Sequence, residues 1–130
     1  EDTEAFNDVF AAFKMPKDSD DEKKKRSQAI QKGYKKAAEV PLETAQVAKD
    51  VLHLCINIAE KGNTNSITDA GVASLLAYAA IHAAVLNVEI NLGSIKDDTF
   101  VTKMNEELKS LKKEAEQEKN LVEDIVSNKM

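Results

Sequence analysis

A polar turn carries the side chains of this sequence that are best suited to chemistry. The stretch KGNTNSITDAG occupies residues 61–71, between two long apolar segments, and contains Asn63, Asn65 and Asp69. An ionised carboxylate beside two amides suits a planar, cationic, nitrogen-containing ligand, because amides both donate and accept hydrogen bonds. The same stretch also fits a helix start, with Ser66 as the N-cap and Asp69 in the first turn, where the helix dipole stabilises a carboxylate. Taken alone, the pattern favours the capping role.

Other reactive side chains are sparse. His53 and His82 fall on different predicted helices, with no Cys, His or carboxylate at metal-ligand spacing nearby, so we predict no metal site. Ser74, Tyr78 and His82 form a polar stripe on one helix, and buried, hydrogen-bonded polar groups are the simpler interpretation than a catalytic lining. The sequence has no phosphate-binding glycine loop, nucleophile elbow or catalytic cysteine signature. Nucleophilic catalysis therefore has no visible agent.

The composition is that of a single helical domain. The 130 residues include only 4 Gly and 2 Pro, and helix-favouring residues dominate. We therefore predict an all-α fold, a bundle of long antiparallel helices, in one domain over residues 1–130. The net charge of -5, with acids and bases interspersed, argues against nucleic-acid binding, which needs a clustered positive surface. Because Cys55 is the lone cysteine and no secretory segment is evident, we expect a cytoplasmic protein.

The first two predicted helices are marked by phenylalanines and by a capping box. The first helix covers about residues 3–14, and we expect it to bury one face, made of Phe6, Val9, Phe10 and Phe13. The second helix opens with a capping box of Ser19 and Glu22. Pro41 lies inside the second helix, where proline removes a backbone donor, so we predict a kink or a restart there. Gly62 is expected to end this helix with a positive φ.

Two further helices complete the expected bundle. Residues 67–92 are apolar on almost every side, which predicts a central helix with small residues for close approach: Ala79, Ala80, Ala83 and Ala84. The run at 70–86 nears membrane-spanning length, but its alanines and polar residues favour a buried helix and no membrane association. A seam with steps of three and four then follows, through Val101, Met104, Leu108, Leu111 and Ala115. We expect this seam to pack on the bundle, on a second subunit, or on both.

The polar turn and a second motif also carry a family resemblance. GNTNSITDAGVA at residues 62–73, followed by LNVEINL at residues 86–92, resembles the cyclodeaminase domain of formiminotransferase-cyclodeaminase and its bacterial relatives. Three more stretches match that family in the same order, namely DTEAFNDVFAAFKMPK, DDEKKKRSQAIQKGYKKAAEVPLETA and the tail after SIKDD. The resemblance covers residues 2 to about 126. Because the family begins with a glycine-rich segment and Ala-rich helices, the resemblance also implies that this chain lacks the N-terminal part of the domain.

The resemblance implies an all-helical, homodimeric enzyme of folate one-carbon metabolism. Such an enzyme cyclises 5-formiminotetrahydrofolate to 5,10-methenyltetrahydrofolate with release of ammonia, or interconverts 5,10-methenyl- and 10-formyltetrahydrofolate. It needs no cofactor besides the folate substrate. On that scheme Asp69 is the catalytic carboxylate that stabilises the cationic one-carbon unit. The implied substrate-binding residues are Asn63, Asn65, Asn87, Asn91, Lys14 and Lys17, with the lysines meeting the anionic glutamate tail.

A non-catalytic alternative stays open. The seam at residues 101–115 and the charged helix faces would also suit a helical module for oligomerisation or interaction. A dimer alone would not separate the two interpretations, because the enzyme family that the sequence resembles is itself dimeric.

Overall fold

Four α-helices, joined by short loops, make up the part of the chain that the structure describes. The computed structural model describes residues 2–130, with side chains from Thr3 onward, so Glu1 lies outside the description. The helices are α1 (Asp2–Phe13), α2 (Asp20–Lys61), α3 (Ile67–Leu92) and α4 (Asp98–Lys129). Within residues 2–130 there is no strand, which confirms the predicted all-α class.

The three long helices form an up-down-up bundle. At one end, Asn91 near the end of α3 bonds to the carbonyl of Ala37 in the first half of α2. At the other end, the ammonium group of Lys129 in α4 bonds to the carbonyls of Ala59 and Glu60 in α2. Thus α3 is antiparallel to α2 and α4, as predicted, and α1 packs against α2.

The core lies where α2, α3 and α4 meet. Its largest side chains are at most 1% exposed and include Leu52, Ile81, Leu108 and Val122. Burying each such side chain stabilises the fold by about 1.5–3 kcal/mol. The predicted seam of α4 belongs to this core, since Met104, Leu108, Leu111 and Ala115 are all buried. The seam therefore packs on the bundle and is not a free surface for a second subunit.

The contact between α1 and α2 uses small residues instead of the predicted phenylalanine face. Ala5, Val9 and Ala12 are at most 4% exposed, whereas the three phenylalanines are 45% to 53% exposed: Phe6, Phe10 and Phe13. Gly33 explains the difference, because a Cβ atom at that position would lie 3.0 Å from Val9 Cγ2. The two backbones approach too closely for an aromatic ring to fit between them. The prediction is right for Val9 and wrong for the phenylalanines.

The two ends of α2 test the predicted capping. The capping box is confirmed, since the Glu22 N–H donates to Ser19 Oγ at 3.2 Å and the Ser19 N–H donates to Glu22 Oε2 at 3.3 Å. At the other end Gly62 has φ -66° and ψ 154°. The positive-φ prediction is therefore wrong, because the chain leaves α2 in an extended conformation and reverses in the turn that follows.

Pro41 does not interrupt α2. The helix continues through it as one element of 42 residues, and Pro41 is buried. The restart predicted at this position is wrong. The carbonyl of Ala37, to which residue 41 would ordinarily donate, accepts instead from Asn91 Nδ2 at 3.1 Å. A side chain of α3 thus replaces the missing backbone donor.

The polar stripe on α3 is only partly satisfied. Ser74 is fully buried, and its hydroxyl donates to the carbonyl of Gly71 at 2.8 Å. The rings of Tyr78 and His82 lie 4.5 Å apart. However, His82 Nε2 is buried without a hydrogen-bond partner. The prediction of hydrogen-bonded polar groups is therefore confirmed for Ser74 and wrong for this atom of His82.

The helix α3 contacts both α2 and α4, as expected of a central helix, but leaves one apolar face open. Val72, Leu76, Leu86 and Ile90 are between 56% and 75% exposed, and Ala79, Ala80 and Ala83 between them are exposed as well. By length and composition α3 is also the one described helix that could cross a membrane, with a mean hydropathy of 1.7 in its most apolar window. An apolar surface of this kind marks a contact site.

The core position of Leu108 should be decisive for stability. We expect Leu108→Ala to lower the free energy of unfolding by about 2–5 kcal/mol, because it removes buried methyl groups and leaves a cavity. Leu121→Ala on the same helix is the matched control, since Leu121 is 45% exposed, and should cost less than about 1 kcal/mol. Urea unfolding followed by circular dichroism measures both. Equal losses of unfolding free energy in the two variants would contradict the assignment of Leu108 to the core.

Candidate functional site

One cavity brings aromatic rings and two amides together. It has a volume of about 540 Å³ and lies where the start of α1 and the first half of α2 meet the end of α3. We call it the amide cavity, and it is lined by Thr3, Phe6, Tyr34, Ala37, Asn87, Ile90, Asn91 and Ser94. This volume lies in the range of small-molecule sites.

A second cavity adjoins the first and is basic. It has a volume of about 500 Å³ and shares Tyr34 and Ser94 with the amide cavity. We call it the basic cavity, and it is lined by Phe13, Arg26, Ser27, Ile30, Gln31, Tyr34, Gly93, Ser94, Ile95 and Lys96. Neither set of lining residues contains Asp or Glu within the part of the chain that the structure describes.

Specific contacts fix the walls of the basic cavity. Gln31 Nε2 donates to the carbonyl of Ser94 at 3.0 Å, and the Lys96 N–H donates to Gln31 Oε1 at 2.7 Å. Gln31 thereby ties the α3–α4 loop to α2. Arg26 Nε donates to the carbonyl of Phe13 at 3.2 Å, and its guanidinium lies 5.4 Å from the centre of the Phe13 ring. This held cation at the cavity wall suits a carboxylate ligand.

The polar turn between α2 and α3 uses Asn63 for its own structure. Asn63 Oδ1 accepts from the N–H groups of Asn65 and Ser66, both at 3.1 Å, and from Ser66 Oγ at 3.2 Å. Ser66 holds the predicted N-cap position of α3, but its side chain makes no capping bond, because its hydroxyl faces Asn63. Asn65 and Asp69 are exposed, with Asp69 in the first turn of α3 as predicted. They remain available to a ligand.

The predicted site residues fall into two separate groups. Asp69 and Asn87 are 18 residues apart on α3, which corresponds to about 27 Å along a helix. The structure therefore brings Asn87 and Asn91 together at the amide cavity and leaves Asn63, Asn65 and Asp69 at the opposite end of the bundle. Lys14 and Lys17 follow α1 and are exposed, outside the linings of both cavities.

Sequence reasoning missed several lining residues. The helical spacing predicts Phe6 on a core face, and no motif predicts a site role for Tyr34, Arg26 or Gln31, yet all four line a cavity. The three phenylalanines of α1 are the signal that the sequence offers, but helical spacing alone does not tell a core face from a cavity wall.

Comparison with known proteins gives consistent matches. The family model described as formiminotransferase-cyclodeaminase matches residues 1–110. The chain is 44% identical over 115 residues to a methenyltetrahydrofolate cyclohydrolase of Methylorubrum extorquens, and the alignment covers 88% of this chain and 55% of that protein. It is 32% identical over 121 residues to a formimidoyltransferase-cyclodeaminase of Rattus norvegicus, which covers 93% of this chain and 22% of that protein.

A solved structure agrees with these sequence matches. The crystal structure of formiminotetrahydrofolate cyclodeaminase from Thermotoga maritima superposes with a TM-score of 0.84 at 33% identity, over 98% of this chain and 59% of that one. The chain thus spans about half the length of the cyclohydrolase.

The two turn asparagines should behave differently on substitution. Asn63→Ala removes the acceptor of three hydrogen bonds and should lower the free energy of unfolding by about 1 kcal/mol, as the loss of a cap does. Asn65→Ala is the matched control, because its side chain is exposed, and should stay within about 0.5 kcal/mol of the parent. Denaturant unfolding of both variants measures this. A neutral Asn63→Ala would contradict the structural role.

Proposed function

The chain belongs to the formiminotransferase-cyclodeaminase family, and from this premise we propose that it forms part of a folate one-carbon enzyme. The family assignment rests on the match over residues 1–110 and on the identity to the cyclohydrolase. The observation that carries the proposed activity is the pair of adjoining cavities, one lined by amides and one basic, beside the second family motif. Folate derivatives combine a flat heterocycle with an anionic tail.

Hydrolysis of 5,10-methenyltetrahydrofolate is the first candidate activity, supported by the 44% identity to a cyclohydrolase. Water adds to the cationic carbon between N5 and N10, and a base takes a proton from that water. The bond between this carbon and N5 then breaks as the hydroxyl loses its proton and N5 gains one, which leaves the formyl group on N10 and N5 as an N–H. Cyclisation of 5-formiminotetrahydrofolate with loss of ammonia is the second candidate, supported by the likeness to the cyclodeaminase structure. No cofactor besides the folate substrate is needed.

The two cavities offer complementary chemistry to such a substrate. The amide cavity presents the aromatic rings of Phe6 and Tyr34 and the amide groups of Asn87 and Asn91 to a heterocycle. The basic cavity presents Arg26 and Lys96 to a carboxylate tail. Lys14 and Lys17 stay proposed contacts for the same tail.

One element of the proposed chemistry is absent from the cavities. A carboxylate facing the cationic one-carbon unit would stabilise it, yet neither lining includes one in the described chain. Asp69, the proposed catalytic carboxylate, lies about 27 Å away along α3. Asn63 and Asn65 are at the same distant end. A single copy of the chain therefore holds the proposed site in two halves.

The open face of α3 supports a homodimer that would unite the halves. Its spacing is palindromic, with steps of 4, 3, 4, 3 and 4 through Val72, Leu76, Ala79, Ala83, Leu86 and Ile90. Large side chains lie at both ends of this stripe and small ones at its centre. A two-fold axis at the centre would pair each end with the opposite end of the second copy, and the alanines would allow close approach.

Antiparallel pairing of the two α3 helices has a direct consequence for the site. Asp69 lies three residues before the stripe, and Gly93 lies three residues after it. In the proposed dimer Asp69 would therefore approach Gly93 of the partner subunit, which is part of the partner's basic cavity. The neighbouring Ser94 lines both cavities. Each folate site would combine the polar turn of one copy with the cavities of the other.

Exposed apolar residues on α2 extend the proposed interface. They recur at steps of four, three and four and are 45% to 63% exposed: Val47, Val51, Leu54 and Ile58. Since α2 and α3 are neighbours, the two stripes would form one broad face. Its burial would supply the hydrophobic contribution that stable association needs.

The proposed setting is the cytoplasm, with folate and a second copy of the chain as partners. The lone Cys55 and the net charge of -5 support this setting and argue against a nucleic-acid partner. We propose that protein covers the open face of α3, because the palindromic pattern with small central residues suits helix pairing. Partition of the chain into lipid vesicles would contradict this.

Mixing two inactive variants tests the shared site. Asp69→Ala and Asn87→Ala should each lower turnover of methenyl- or formiminotetrahydrofolate by about 100-fold, as loss of a stabilising group in an active site does. When the two variants are unfolded and refolded together in equal amounts, activity should return to about a quarter of the parent value. Half of the dimers would then be mixed, and one of their two sites would carry neither substitution.

Two matched control substitutions show whether any loss of activity is specific to the site residues. Asp124→Ala and Asn105→Ala change exposed residues of the same types on α4 and should keep full activity. If co-refolding of the two inactive variants restores no activity, the proposal that each site is shared between two copies is wrong. If the parent dimer has no activity and does not bind folate, the proposed enzymatic function is wrong. The non-catalytic helical module would then be the better interpretation.

A further inference from the structure

Pro41 creates a gap in the hydrogen bonding of α2. In a regular helix the N–H of residue 41 would donate to the carbonyl of residue 37, and proline has no N–H. Ala37 is only 3% exposed, so bulk water is not a ready substitute. A buried carbonyl without a partner is costly, and this one needs a donor from elsewhere in the fold.

Asn91 supplies that donor. Its Nδ2 donates to the carbonyl of Ala37 at 3.1 Å and to the carbonyl of Asn87, one turn earlier in α3, at 2.8 Å. An asparagine amide has two hydrogens to donate, and both are used here. Because both partners are carbonyls, the amide cannot be turned over without placing oxygen against oxygen. The orientation of the Asn91 amide is therefore fixed.

The fixed amide leaves one atom unassigned. Asn91 lines the amide cavity. In the described chain the buried polar atoms without a partner are His82 Nε2 and Glu118 Oε2, and Asn91 Oδ1 does not belong to this group. No described group donates to Oδ1, so this oxygen is an accessible acceptor on a side chain that lines the cavity. It can accept a hydrogen bond from a ligand, whereas the nitrogen of the same amide has no hydrogen left to donate.

We infer that Pro41 and Asn91 act together as a lock. Because Pro41 has no N–H, the carbonyl of Ala37 holds the Asn91 amide in one orientation. In that orientation Oδ1 selects a ligand with an N–H donor. Asn91 is thus a positioning residue for α2 and a specificity residue for the cavity. A ring that carries an amide-type N–H or an amino group matches this acceptor, and a group that only accepts hydrogen bonds does not. The ligand half of this inference rests on the proposed function, since a pterin ring carries such donors.

A double-substitution cycle on thermal unfolding tests the lock. Asn91→Leu should lower the unfolding midpoint by several degrees. In a Pro41→Ala background the same change should cost less than half as much, because a backbone N–H at position 41 can then reach the carbonyl of Ala37. Asn105→Leu, at an exposed position of α4, is the control and should have the same small effect in both backgrounds. Equal costs of Asn91→Leu with and without Pro41 would overturn the lock.

Binding in the Pro41→Ala background tests the acceptor separately from stability. Asn91→Asp keeps an oxygen acceptor and loses both donated bonds. The carbonyl of Ala37 no longer needs its bond in this background, and the carbonyl of Asn87 still accepts the backbone N–H of residue 91 within the helix. Calorimetry with 5-formyltetrahydrofolate should therefore give an affinity close to that of Pro41→Ala alone. Asn91→Leu in the same background should bind at least about tenfold more weakly, because the N–H of the ligand loses its acceptor. Equal affinities of the two variants would overturn the selection of a donor.

The two measurements separate this inference from the proposed function. If the parent protein does not bind 5-formyltetrahydrofolate, the proposed function and the ligand half of the inference both fail. The unfolding cycle still decides whether Pro41 and Asn91 are coupled. If the parent binds and the Leu and Asp variants do not differ, the proposed function stands and the role of Oδ1 is wrong.

Discussion

Apolar side chains on almost every side of α3 constrain the whole structure, because α2 and α4 cover only part of its surface. The covered part forms the core with Leu52 and Leu108. The uncovered part is a stripe from Val72 to Ile90, with small side chains at its centre and large side chains at both ends. The same helix carries the polar turn at its start and the amide cavity near its end. How the open face is covered therefore decides what becomes of both halves of the proposed site.

Local chemistry made part of the fold predictable. The capping box of Ser19 and Glu22 acts within one helical turn, so the sequence alone was sufficient to identify it. The buried seam of α4 follows from periodicity, although periodicity could not say which surface covers it. The continuity of α2 through Pro41 could not be predicted, because the compensating donor is Asn91, 50 residues further along the chain. Propensity rules describe a helix without its neighbours.

The site was predictable to a similar extent. Motif resemblance drew attention to Asn63, Asp69 and Asn91, but it could not show that Asn63 is engaged in its own turn or that Asn91 holds α2. The aromatic and basic walls could not be predicted, since Phe6 and Arg26 lie far in sequence from the polar turn and the LNVEINL motif, and only the packing of the helices brings them to the cavities. Short-range patterns identified the polar groups, and tertiary structure determined which of them meet.

The measurement that tests the central claim most directly is the distance between two copies of a spin label at residue 68, introduced by Thr68→Cys in a Cys55→Ala background. Antiparallel pairing of the two α3 helices about the centre of the stripe predicts a separation of about 40 Å, from the helical rise. A label introduced by Ala80→Cys, near that centre, should report a much shorter distance. A short distance at residue 68, or no dimer at all, would contradict the account.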